Sequence, residues 1–212
     1  MKLVFDTETT GLPETKGFDN FYPPAHTKYY ENSRLIELAY AIVDDNFSVV
    51  KKVSNLIAPN YFIINNSHIH GITNEMAEKG VSIEEALYKF EKDILKYSVN
   101  TLIAHNANFD LHIILSEAYR IKMDNSRQYE PDSLISLLTL KDNIKIECTM
   151  KMSHSLIVST IPENIHPFIN FVKSPKLVEL HKFLFNEEVK QEHRAMSDVE
   201  ICLKCYYRLV TL

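Results

Sequence analysis

Cysteine is scarce in this chain of 212 residues: Cys148, Cys202 and Cys205 are all there are, an odd number thinly spread. They make no disulfide framework and point to a reducing compartment. Cys202 and Cys205 form a CxxC, but it lies in an apolar helical pattern without a second Cys/His pair at zinc spacing. Both therefore read as plain core residues. No run approaches the ~20 apolar residues of a membrane span. Met1 leads straight into the strand-like Lys2-Leu3-Val4-Phe5-Asp6, so no signal peptide is expected, and the chain reads as a soluble intracellular protein with no membrane partner. A cytoplasmic, nuclear or virus-encoded setting all suit that reading. Internal repeats and low-complexity tails are absent. Basic residues are outnumbered, 23 Lys and Arg against 28 Asp and Glu, for a net charge of −5. That excludes a broad polyanion-binding coat, but not an enzyme whose metals and local basic patch offset its acids.

What is present is ordinary globular material, 45% hydrophobic and 24% charged, enough for one sizeable domain over residues 1–212. Leu3-Val4-Phe5, Leu35 to Val43 and Phe47 to Ile57 read as strands, the last following the turn Asp44-Asp45-Asn46. Ser82-Ile83-Glu84-Glu85 resembles a capping box opening a helix striped by Ile83, Ala86, Leu87, Phe90 and Ile94. Thr101 to Ala104 is a short buried strand, and Leu111, Ile114, Leu115 and Ala118 mark the helix after it. Pro131 starts a further helix, Lys176 to Phe185 forms another, and Val199, Cys202, Leu203, Tyr206 and Leu209 face the last. The pattern predicts one α/β domain, with residues 13–33, rich in proline and aromatics, as a long surface loop.

Five polar residues stand beside apolar runs able to fix them on rigid elements: Asp6, Glu8, Asp110, His193 and Asp198. Side chains two apart on a strand share a face, so Asp6 and Glu8 point the same way, with Val4 before them and Leu3 and Phe5 opposite. Asp110 falls at a helix start, where the helix dipole favours an acid. Asp198 lies near the start of the last helix. His193 precedes it across the turn Arg194-Ala195-Met196-Ser197, so the imidazole is expected to overhang the site from a loop. Singly, each has an ordinary reading: a common Asp-x-Glu pair, a first-turn acid, a surface or capping histidine. Together, four carboxylates at one point repel one another unless cations lie between them. An all-oxygen ligand set suits a hard ion such as Mg²⁺ or Mn²⁺.

The motifs carry a resemblance. Leu3-Val4-Phe5-Asp6-Thr7-Glu8-Thr9-Thr10-Gly11-Leu12 resembles the first motif of the DEDDh (DnaQ-like) family of 3′→5′ exonucleases, within the ribonuclease-H-like superfamily. Ala104-His105-Asn106-Ala107-Asn108-Phe109-Asp110 is similar to the second, and His193-Arg194-Ala195-Met196-Ser197-Asp198 to the third, with the His-to-Asp step of the histidine branch. Ile69-His70-Gly71-Ile72-Thr73 resembles a segment carried between the first two. The resemblance implies a mixed five-stranded sheet of order 3-2-1-4-5 flanked by helices. It also implies a two-metal phosphodiesterase: Asp6, Glu8, Asp110 and Asp198 holding two Mg²⁺, with Mn²⁺ a possible substitute, roughly 3.5–4 Å apart astride the scissile phosphate. His193 would be general base, a role suited to an imidazole's ordinary near-neutral pKa. By the same matching, Thr9, Gly11 and Leu12 would approach the terminal nucleotide, Leu12 wedged against its base. His70 would touch the same nucleotide, and Asn106 would stand near the site or cap the next helix.

The expected substrates are single-stranded or frayed 3′ ends of DNA, cut for proofreading, repair or end-trimming. The same chemistry on RNA or short oligoribonucleotides is the rival reading, since pocket shape reads the 2′-OH. Association with a DNA polymerase, or a homodimer, is compatible with the family. An aspartate-nucleophile phosphatase would need a second Asp where Glu8 stands. An inactive nucleic-acid-binding module would be expected to have lost one of the five residues, and all are present. Two regions, 13–33 and 141–175, look inserted. Phe18, Phe21, Tyr22, Tyr29 and Tyr30 of the first offer stacking faces for a single strand, or pins for the loop. Lys141, Lys145, Lys151, Lys173 and Lys176 lend the second some positive charge.

Overall fold

A computed structural model of the protein describes residues 1–17, 19–124, 137, 139, 144–159 and 174–212. Its centre is β1 (Lys2–Thr9), which pairs antiparallel with β2 (Leu35–Val43) and parallel with β4 (Thr101–Ala104). β3 (Val49–Leu56) adds antiparallel to β2, and β5 (Lys145–Cys148) adds parallel to β4. The order β3-β2-β1-β4-β5 is the ribonuclease-H-like one that the motifs imply. The predicted turn before β3 forms around the Asp44 carboxylate, which accepts from the amides of Asn46 and Ser48 at 2.9 Å each.

The alternation along β1 divides the core in two. Leu3 and Phe5 face α3 (Ile83–Lys96) and α4 (Ala107–Met123), packing with Leu87, Phe90, Leu111 and Ile114. Val4 faces the opposite layer, α6 (Leu177–Phe185) and α7 (Ala195–Thr211), packing with Leu180, Val199 and Cys202. Phe90 is fully buried against Phe5 and Tyr40, so its truncation to alanine costs about 3–5 kcal/mol. α3 starts where predicted: Ser82 Oγ accepts from the Glu85 amide at 3.1 Å. The other helices are α1 (Ser67–His70), α2 (Asn74–Ala77) and α5 (Thr149–Ser159). α5 follows β5 directly at Cys148-Thr149.

Cys202 and Cys205 are the buried core thiols the sequence suggests, and burial pushes both thiols up, Cys205 to about 12. The helix predicted from Pro131, and Phe18, Lys141 and Lys173, lie outside the described residues. Among the described residues, no helix is long and apolar enough to cross a membrane.

The segment 13–33 is a loop as expected, with one 3-10 turn at Thr27–Tyr30 and a single bridge between Thr15 and Phe21. Its aromatics pin it down. Tyr30 is fully buried and donates to the Tyr22 carbonyl, Tyr22 stacks on Tyr29 at 3.6 Å, and Phe21 packs on Phe109 and His112.

Candidate active site

Three elements converge at the C-terminal end of β1. Asp6 and Glu8 project from its α7-facing side, and Asp198 rises from the first turn of α7. One carboxylate oxygen from each lies within 4.8 Å of the others. α7 begins earlier than the sequence suggests: Ala195, Met196 and Ser197 are helical rather than a turn, so only His193 and Arg194 precede the helix. Asp110, in the first turn of α4, approaches from the other layer. Its Oδ1 accepts from both the Thr7 amide (3.1 Å) and the Thr7 hydroxyl (2.6 Å), and it stands beside the trio rather than within it.

The electrostatics fit a cation site. Burial, then the charges of Asp110, Asp198, Glu8 and Glu37, raises Asp6 well above the ordinary carboxylate range. Burial and the charges of Asp198, Glu37 and Asp110 push Glu8 up to about 8, against a smaller lowering by Arg194. Burial pushes Asp110 up to about 7 despite the two Thr7 hydrogen bonds. Asp198 is raised by burial, against the lowering effects of its Gln191 bond and of His193. Asp198 Oδ2 accepts from Gln191 Nε2 at 2.7 Å, while the buried Oδ1 has no hydrogen-bond partner. A partnerless buried carboxylate oxygen beside two more acids fits a bound cation. Hard oxygen donors fit divalent Mg²⁺ or Mn²⁺.

His193 is exposed on the loop before α7, its backbone left-handed at φ +50°. Gly11 lies so close to Asn32 that a Cβ there would meet its carbonyl oxygen at 2.7 Å, so only glycine allows this turn. The turn is tied back by the Thr9 hydroxyl to the Gly11 carbonyl (2.7 Å) and the Thr10 amide to the Arg34 carbonyl (3.0 Å). It presents Leu12, 77% exposed, to solvent. Leu12, Phe21, Asn106, Phe109 and Met150 line a cavity of about 280 Å³ next to this turn. Asn106 occupies the N-cap position of α4 in a left-handed conformation, without a side-chain capping bond.

His70 is buried. Its Nδ1 accepts from the Ile72 amide at 3.0 Å, so Nε2 carries the proton toward Asn66 Oδ1 at 3.1 Å. Asn66 in turn donates to the Thr9 carbonyl at 2.9 Å. His70 thus braces the strand end from behind, with both ring nitrogens occupied. In the second predicted insertion, Lys145 pairs with Glu147 at 2.6 Å and Lys151 with Asp19 at 2.7 Å, which uses part of the expected basic charge.

Sequence reasoning overlooked Glu37. It is 1% exposed and stands opposite Glu8 in the β1–β2 register. Its signal was available: one acid inside the apolar run Leu35-Ile36-Glu37-Leu38-Ala39, a strand buried at every position. Thr7 and Gln191, which orient Asp110 and Asp198, were missed too, and nothing in their local sequence marks them.

Several proteins similar to this chain are exonucleases. The chain is 27% identical over 220 residues to the Arabidopsis thaliana chloroplastic/mitochondrial exonuclease DPD1, a match covering 98% of this chain and 55% of that protein. The chain therefore spans about half the length of that relative. The structure resembles exonuclease X in complex with 5′ overhanging duplex DNA, with TM-score 0.57 and 21% identity, covering 100% of this chain and 92% of that one. It also resembles a 3′-exonuclease in specific recognition of a histone mRNA stem-loop, with TM-score 0.59 and 10% identity over 99% of this chain and 81% of that one. An exonuclease family model, RNase_T, matches residues 3–206, and the chain belongs to that family.

Proposed function

We propose that this protein is a histidine-branch 3′→5′ exonuclease that releases nucleoside monophosphates one at a time from DNA 3′ ends. The observation that carries the proposal is the crowded trio of Asp6, Glu8 and Asp198, with Asp198 Oδ1 buried and partnerless. Asp6, Glu8 and Asp198, with Asp110 beside them, would hold divalent cations, Mg²⁺ by preference. Bound there, the cations supply neutralisation of the phosphate and Lewis-acid polarisation of its oxygens.

The remaining work falls to the chain. Leu12 and Phe109 offer apolar surface to the terminal base beside the 280 Å³ cavity, and the Thr9–Gly11 turn brings backbone close to the sugar. His193 takes the proton of the attacking water. The water oxygen bonds to phosphorus, the bond from phosphorus to the 3′ oxygen breaks with its electron pair going to that oxygen, and a proton from solvent water makes it the new 3′-hydroxyl. Thr7 holds Asp110, and Gln191 holds Asp198, so the acids keep their orientation between turnovers.

The experiment is a gel assay with 5′-labelled single-stranded DNA, duplex DNA and RNA, with Mg²⁺ or with chelator. Stepwise 3′ shortening of DNA that vanishes in chelator and with Asp198→Ala supports the proposal. Full activity in chelator, or with His193→Ala, sinks the mechanism. Preferred shortening of the RNA moves the substrate to the second reading, which the likeness to the stem-loop-recognising 3′-exonuclease favours.

A further inference from the structure

The carboxylate of Glu37 accepts four hydrogen bonds, three of them from Arg194 and Ala195, where the chain enters α7, and one from Ser54 on β3. Arg194 Nε donates to Oε2 at 3.0 Å and Arg194 Nη2 to Oε1 at 2.8 Å, a bidentate fork. The Ala195 amide, first in α7, donates to Oε2 at 3.1 Å, and the Ser54 hydroxyl donates to Oε1 at 3.1 Å. Fixed on the buried β2 strand, Glu37 grips the two residues that directly follow His193.

His193 holds a backbone conformation at φ +50° that residues other than glycine rarely adopt, and such conformations persist only where neighbours over-determine them. Its own side chain is exposed, so the constraint comes from the chain on either side. On the C-terminal side that chain is the Glu37-bound pair Arg194 and Ala195. Asp198 has further anchors of its own: Val199 and Cys202 pack into the core beneath it, and Gln191 binds its Oδ2.

We propose that Glu37 is a positioning residue for His193: it clamps Arg194 and the first turn of α7 so that the imidazole overhangs the carboxylate trio. The proposal rests on the reading of His193 as general base. Glu37 touches no substrate in this scheme and acts only through the loop. The Glu8–Glu37 register pair adds a reason for the fork, since two acids directly opposed across strands repel, and Arg194 supplies the balancing charge.

The test is a double-mutant cycle on stepwise trimming of 5′-labelled single-stranded DNA, with kcat, KM, Mg²⁺ half-saturation and Tm measured for each variant. Glu37→Gln keeps the shape but loses the charged fork. It is expected to lower kcat about tenfold or more, with KM and Mg²⁺ half-saturation within about threefold. In a His193→Ala background the same change is expected to slow the enzyme by less than about twofold, because the group it positions is gone. A merely structural role gives equal losses in both backgrounds, and that result overturns the clamp while leaving His193 as base. Full kcat in His193→Ala alone overturns both. Should Glu37→Gln fail to fold, Arg194→Lys, which keeps the charge and loses the fork, must show the same dependence on His193; equal losses there overturn the clamp as well.

Discussion

Two acidic sites flank the same sheet, one a buried aspartate and the other a half-buried trio, and they are treated in opposite ways. Asp93, on α3, is 4% exposed, and its carboxylate accepts from the Tyr40 hydroxyl at 2.6 Å and from Lys51 Nζ at 2.7 Å. The trio of Asp6, Glu8 and Asp198, on the α7 side, has no lysine or arginine bonded to it among the described residues, and one Asp198 oxygen has no partner. Burying an unpaired charge is costly, so a fold selected only for stability pairs its acids as it pairs Asp93. A cluster left raised in pKa and unpaired is the mark of a site that takes its positive charge from outside.

Neutralising one acid on each side separates the two cases most sharply. Asp6→Asn is expected to lower cleavage by at least about a thousandfold, several kcal/mol of transition-state stabilisation, while Tm in chelator holds or rises. Asp93→Ala is expected to do the reverse. It leaves Lys51 and Tyr40 without their partner at a cost of about 3 kcal/mol, or roughly 5–10 °C in Tm, with kcat per folded molecule unchanged. A loss of stability in Asp6→Asn equal to that in Asp93→Ala would break the distinction.

Metal and pH test the same contrast without mutation. The trio carboxylates and Asp110 have folded-state pKa values above their unfolded ones, Glu8 at about 8 and Asp110 at about 7. The folded state therefore holds protons that the unfolded state releases. Their contribution is fully present below about pH 4 and is lost as pH rises through 7 to 8. In chelator, Tm is expected to fall between pH 5 and pH 9, and Asp6→Asn to flatten that fall. Mg²⁺ at a fixed concentration a hundredfold above its Kd at pH 9 adds about 2.7 kcal/mol there, seen by calorimetry as roughly 5–10 °C, and less at pH 5, where protons compete for the carboxylates. A Mg²⁺ shift that is larger at pH 5 than at pH 9 would remove the carboxylates as its source.

The sequence shows why half of this contrast is readable and half is not. Alternation along Leu3 to Glu8 assigns Asp6 and Glu8 to one face, and the capping signal and stripe from Ser82 to Ile94 locate α3, because both are local periodicities. The five candidate residues are legible because each sits next to an apolar run. The contacts that orient them are not: Thr7 to Asp110 spans 103 positions and Arg194 to Glu37 spans 157. Such pairs exist only once β1 has met α4 and β2 has met the start of α7. His70 illustrates the same limit. Its segment is readable from the motif, but its engagement of Asn66, and through it of the Thr9 carbonyl, and of the Ile72 amide goes with the αL turn at Gly71, φ +71°.

The smallest expected effect comes from a pair that resembles the Glu37–Arg194 clamp on paper. Lys52 Nζ and Glu200 Oε1 meet at 2.6 Å and also link the sheet to α7, but their side chains are 46% and 51% exposed. Water solvates both ends whether or not they touch, so their attraction is screened and the ordering of two long side chains offsets most of it. Glu200→Ala is therefore expected to change stability by less than about 0.5 kcal/mol by denaturant titration and to leave kcat unchanged. An effect on kcat comparable to that of Glu37→Gln would mean that any tether between sheet and α7 suffices to hold His193. The fork on buried Glu37 would then lose its claim to a specific role.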